Sequence, residues 1–188
     1  MSESFRRLNL DWILPSLAVG GRYPIEAAEH LARKLGIRYV VDVRVEECDD
    51  EHLLREHGIT LLHLPTVDMR AIRRDMIDDG VTWVTEHLSQ GHKVLIHCEH
   101  GVGRSALLAL CCMVALGHPP LEALTLAKRQ RWQVSPSPEQ LRTFMAWAED
   151  WRARHGLPWT MPTFNALADV AYSHLRNPPP ADADDNHD

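Results

Sequence analysis

The chain has 188 residues, 45% of them apolar, which suits one globular domain with a continuous core. Its formal charge of −6 leaves no global basic field for nucleic acid or an anionic membrane, so any anion must be attracted locally. Cysteines at 48, 98, 111 and 112 lack the spacing of a secreted disulfide framework, the opening residues lack the apolar stretch of a secretory signal, and no segment approaches about 18 uninterrupted apolar residues. A soluble, cytoplasmic protein with free thiols is expected, with no membrane and no nucleic-acid partner.

In chain order, Pro24–Leu35 reads as a helix with proline suited to its first turn, and Ile37–Val43 as a buried strand rich in β-branched residues. A helix over Asp49–His57 ends at Gly58, and a strand follows over Ile59–Leu64. A longer helix around Ile72–Gln90 ends at Gly91, and Lys93–His97, with Val-Leu-Ile inside it, is a third strand. Beyond Arg104 the pattern is helical throughout: Ser105–Leu116 up to Gly117, Leu121–Arg131 after two prolines, Ser137–His155 opening on Ser-Pro-Glu-Gln, and Met161–Leu175. Asn177–Asp188 holds no apolar residue larger than alanine and reads as a disordered tail. The order predicts an α/β fold, a central and mostly parallel sheet of four to five strands flanked by helices, with a helical C-terminal half.

Residues 97–105, His-Cys-Glu-His-Gly-Val-Gly-Arg-Ser, lie between a predicted strand and a predicted helix. A cysteine there faces the unpaired amides of the helix N-terminus, which favour both a thiolate and a phosphate. Gly101 and Gly103 let the backbone curl so that successive N–H groups from Glu99, His100, Gly101, Val102 and Gly103 converge on one point. Arg104 closes the loop, where its planar fork can hold two phosphate oxygens as a lysine cannot. Ser105 is placed to donate toward the Cys98 sulfur, and His97 to orient the loop from behind. Zinc held by Cys98 with His97 and His100 fails on spacing, since no second ligand pair stands at a regular offset. No metal and no cofactor is expected.

The loop resembles the signature of the cysteine-based protein tyrosine phosphatases, and the chain over about residues 12–150 resembles their dual-specificity branch. Trp12-Ile-Leu-Pro-Ser-Leu-Ala-Val-Gly-Gly is similar to the family's opening strand, and Gly36-Ile-Arg-Tyr-Val-Val-Asp-Val-Arg to its next. The resemblance implies a catalytic domain over 1–155, followed by a helical extension over 156–176 and the tail over 177–188. It implies phosphate-ester hydrolysis through a phosphocysteine on Cys98, with a general acid on an upstream loop.

Asp68, in Leu-Pro-Thr-Val-Asp just after the strand Ile59–Leu64, best fits that acid. Asp75, Asp78 and Asp79 fall inside a predicted helix and read as a solvated face. Arg70, Arg73 and Arg74 form either a basic rim or an ordinary charged helix face. Ser135–Gln140 occupies the place of a further turn facing the site in this family, and Cys48, poorly placed to pair with Cys98, is expected to be buried or half-buried. Glu99 would repel a multiply phosphorylated ring, which favours a phosphorylated protein or small phosphomonoester over inositol lipids. The same loop would serve an RNA 5′-triphosphatase or a phosphoinositide phosphatase, and a phosphoprotein-binding module without activity would have lost Cys98, Arg104 or the acid.

Overall fold

The computed structural model describes residues 8–178. Five strands form one sheet: β1 (Leu10–Leu14), β2 (Leu17–Gly20), β3 (Ile37–Arg44), β4 (Thr60–Thr66) and β5 (Lys93–His97), in the order β1-β2-β5-β3-β4. Only β1 and β2 are antiparallel, a tight hairpin turning at Pro15 and Ser16. The rest pair in parallel. The central strand, β5, carries a continuous apolar run, Val94 to Ile96, because both of its faces are covered. Val94 and Ile96 point into one core, while Leu95 points into the other.

The smaller core lies under α1 (Ala28–Arg33) and α2 (Glu51–Glu56), where Leu31 and Leu54 are fully buried against Ala18, Val40 and Leu95. The larger core packs the opposite face against α3 (Arg74–Ser89), α4 (Arg104–Ala115), α5 (Pro120–Gln130), α6 (Pro138–His155) and α7 (Phe164–Ala171), with a last short turn, α8 (Ser173–Arg176). Every residue of α4 from Arg104 to Val114 is buried. A helix apolar on all sides has no solvent face, and α4 lies between the sheet, α3, α5 and α6.

The predicted elements are present with shifted ends. Pro24 is extended and its carbonyl accepts Ala27 N at 2.9 Å, so a 3-10 turn, Ile25–Ala27, precedes α1. β4 continues through Pro65 to Thr66, which its place at the sheet edge permits. In the expected helix Met161–Leu175, Thr163 caps Ala166 N and delays the start to Phe164, and Tyr172 breaks α7 from α8. The expected disordered tail lies outside the described residues apart from Asn177 and Pro178.

Candidate active site

Parallel strands deliver their C-terminal ends to one edge of the sheet, and here β5 ends in His97 directly before the loop that opens α4. Cys98, first in that loop, is 3% exposed. Its Sγ accepts from Gly101 N at 3.2 Å and stands 3.2 Å from Ser105 Oγ.

The rest of the loop is shaped from outside by its carbonyls. Glu99 O accepts from Arg22 N at 2.9 Å, His100 O and Gly101 O accept from the Arg131 guanidinium at 3.0 and 2.8 Å, and Val102 O accepts from Ser135 N at 3.0 Å. In a trans peptide the carbonyl and the following N–H point opposite ways, so four carbonyls drawn outward turn the amides of residues 100–103 inward. Gly101 has φ +69, and a Cβ there would lie 2.4 Å from the Gly20 carbonyl carbon. At Gly103 a Cβ would meet Gln140 Oε1 at 2.6 Å. Neither position accepts a side chain without displacement.

Arg104 is 1% exposed at the start of α4. Its two terminal nitrogens each donate to a Glu46 carboxylate oxygen at 2.7 Å, one also donates to Thr66 O at 2.9 Å, and Asp68 Oδ1 lies 3.3 Å from the other. Among the described residues no group meets its buried Nε, which leaves that donor for an incoming oxyanion. The Arg104 hydrogen bonds hold the Glu46 carboxyl down at about 2, against 4.5 ordinarily.

Asp68 follows β4, 60% exposed, and lines with Cys98, Ser135 and Gln140 a pocket of about 160 Å³. The next residue, Met69, has φ +62, a left-handed conformation uncommon outside glycine. The loop after β4 is held in that shape from the start of α6: Ser137 Oγ donates to Met69 O at 2.9 Å, and Gln140 Nε2 donates to Arg70 O at 3.0 Å. Ser137 and Gln140 also close the capping box that Ser-Pro-Glu-Gln predicts.

His97 is fully buried behind the loop. Its Nε2 lies 2.8 Å from Asp49 Oδ2, which also accepts from Tyr23 OH at 2.5 Å. Burial pushes the Asp49 carboxyl up, but hydrogen bonds from His97 and Tyr23 outweigh it and hold it below the usual range. Arg44 ties Asp49 to the buried Asp42, both at 2.9 Å.

Several expectations change at this point. Cys48 is exposed rather than buried or half-buried, because it lies in the loop after β3 beyond the last residue paired in the sheet. Arg70, Arg73 and Arg74 do not form a free basic rim: they pair with Glu139, with Asp75, and with Asp78 and Asp150. Asp78 is not purely a solvated face, since it accepts from Trp147 Nε1 at 2.8 Å. Glu99 lies between Arg22 at 3.3 Å and Arg44 at 3.5 Å, which compensates its charge. Glu46, Asp49 and Arg131 escape notice in the sequence. The signal for Glu46 is an acidic run directly after β3 on the edge that also carries Cys98; Arg131 has no such signal.

A thiol under converging amides, a buried arginine at a helix N-terminus and a carboxylate facing the same pocket are the parts that phosphate-ester cleavage by a cysteine requires. The catalytic-domain model of the dual specificity phosphatases matches residues 21–150, and the chain belongs to that family. It is 31% identical over 134 residues to human dual specificity protein phosphatase 9, an alignment covering 66% of this chain and 32% of that protein, so the chain spans about a third of that relative's length. To human phosphatidylglycerophosphatase and protein-tyrosine phosphatase 1 it is 26% identical over 145 residues, 72% of each. The crystal structure of Tk-PTP in the active form matches with a TM-score of 0.69 at 25% identity, over 75% of this chain and 97% of that one.

Proposed function

We propose that the protein hydrolyses phosphomonoesters of proteins or small molecules in two steps through a phosphocysteine on Cys98. In the first step the Cys98 thiolate attacks phosphorus, the bond to the leaving oxygen breaks, and Asp68 gives that oxygen its proton. Arg104 and the amides of residues 100–103 hold the non-bridging oxygens as charge spreads onto them. In the second step Asp68 takes a proton from water, the water oxygen bonds to phosphorus, and the S–P bond breaks to release inorganic phosphate. Ser105 donates toward the departing thiolate.

The observation that carries this reading is the outward tethering of four consecutive loop carbonyls, which aims the amides at Cys98. A cytoplasmic setting belongs to the same proposal: all four cysteines are free, the nucleophile must stay reduced, and no helix among the described residues is long and apolar enough to cross a membrane. Hydrolysis of para-nitrophenyl phosphate in the presence of a chelator tests it. Turnover should persist, and Cys98→Ser should abolish it while vanadate still binds; activity surviving Cys98→Ser would overturn the mechanism.

A second reading, the phosphomonoester of a phospholipid headgroup, draws support from the compensated charge of Glu99 and from the exposed Val67 and Met69 flanking Asp68. One of the human relatives is named for such a substrate. Rates on phosphotyrosyl peptide, phosphoseryl peptide, phosphatidylglycerophosphate, phosphoinositide and triphosphate-ended RNA rank the readings. The first predicts the peptides fastest.

A further inference from the structure

The segment 131–137 forms the wall of the catalytic pocket on the side of α6, and it holds both halves of the site. Toward the cysteine loop, Arg131 fastens His100 O and Gly101 O while Ser135 N fastens Val102 O. Toward the acid loop, Ser137 Oγ fastens Met69 O. A shift of this segment would therefore move the amide cradle and Asp68 together.

The segment is itself braced from outside, by Tyr172 beyond the family match, which ends at 150, and by Lys128 within it, which is tied in turn to the residues beyond. Tyr172 OH, at the junction of α7 and α8, donates to Pro136 O at 2.7 Å. Lys128 Nζ on α5 donates to Val134 O at 2.9 Å, to Ala171 O at 2.8 Å, and lies 2.8 Å from His174 Nδ1. The three donors of one ammonium thus join the pocket wall to the end of α7 and to α8. Burial lowers Lys128 to about 8. The His174 ring lies 6.0 Å from that of Trp132 in the same segment. The helix that carries these contacts is anchored firmly, with Leu167 and Ala171 fully buried in the main core.

We infer that the C-terminal extension is a working part of the catalytic domain: its Tyr172, and Lys128 of α5 that bonds to the extension, are positioning residues that hold the 131–137 wall, and through it the oxyanion cradle, in register. The inference rests on the phosphatase reading. It differs from a packing role in one respect: oxyanion affinity, and not stability alone, depends on two polar contacts more than one shell away from the phosphate.

Tyr172→Phe and Lys128→Met in the full chain test it, with Leu175→Ala, on the exposed side of α8, as the control. Vanadate affinity is measured by calorimetry, KM and kcat with para-nitrophenyl phosphate, and Tm by thermal melting. Each of the two variants should weaken vanadate binding and raise KM by about threefold to tenfold, with kcat changed less, and Leu175→Ala should match the wild type. Vanadate affinity and KM within twofold of wild type in Tyr172→Phe, with only Tm lowered, would overturn the inference and leave the extension a packing element. Vanadate binding needs no turnover. A wild-type protein that binds vanadate but hydrolyses nothing would count against the phosphatase reading, and the binding arm would still decide the role of Tyr172.

Discussion

Cys98, Asp68 and Glu46 are set to different tasks by their surroundings, and each predicts a separate experimental signature. Cys98 is enclosed, with donors at 3.2 Å from Gly101 N and the Ser105 hydroxyl within the same distance. Asp68 is exposed, as the proton exchange with leaving group and water proposed for it requires. Asp68→Asn should lower turnover on a poor leaving group by about 100-fold or more, because the leaving oxygen then departs without its proton. Unchanged turnover would move the acid role elsewhere. Gly101→Ala should lower activity more severely than it lowers Tm, since its Cβ is driven against the end of β2 at Gly20 and against the Arg131 guanidinium that fastens the cradle. Parallel losses in both would show that the residue serves the fold and not the cradle.

Glu46 neutralises Arg104 in the free protein and fixes the plane of its guanidinium, leaving Nε unpartnered. Glu46→Gln keeps the shape and removes the charge, so kcat/KM should fall about tenfold through misplacement of the fork. The pH dependence has a defined sign. A carboxyl lowered from 4.5 to about 2 contributes stability that is complete above 4.5 and lost as pH falls through about 2. Acid unfolding of the wild type should therefore show a slope in that window that Glu46→Gln lacks; with the side chain 40% exposed, solvent screening keeps the contribution small. Identical acid unfolding of the two proteins would show that the pair contributes nothing.

At the scale of elements, the site is a junction of four separately built pieces: the end of β5 with the start of α4, the loop after β3, the loop after β4, and the turn into α6. The first piece was fully legible because its chemistry is contiguous. His97 to Ser105 are neighbours in sequence, and a buried strand followed by glycines and an apolar helix sets their geometry locally. The acid loop was legible by its place after a strand. The partners that hold these pieces were not, because they meet only in the fold. Arg131 reaches Asp11 and Asn9 at 2.8 and 2.7 Å from more than a hundred residues away, and Glu46 reaches Arg104 across 58 positions. Glu46 also sits in an acidic run that looks like ordinary solvated surface. Helix ends moved for local reasons, the Thr163 cap and the extended Pro24, that periodicity does not register. Leu167→Ala, which empties a fully buried position under α7, should cost about 2–5 kcal/mol and lower Tm accordingly. A change below 1 kcal/mol would show that α7 rests loosely on the core.

For the molecule as a whole, the proposed function has a net negative chain bind a dianion through attraction built locally rather than as a field. The surface arginines near the mouth are each paired with a carboxylate, so long-range steering is weak. Binding falls instead to the amide cradle and to one buried cation. Increasing salt should therefore reduce kcat/KM only modestly, and a steep fall would point to a basic surface acting at a distance. Asp68→Asn protein mixed with para-nitrophenyl phosphate, quenched in acid within a single turnover and digested, should yield a phosphoryl group on the peptide carrying Cys98, identified by mass spectrometry. A phosphoryl group on another residue, or steady turnover with none on Cys98, would contradict the account.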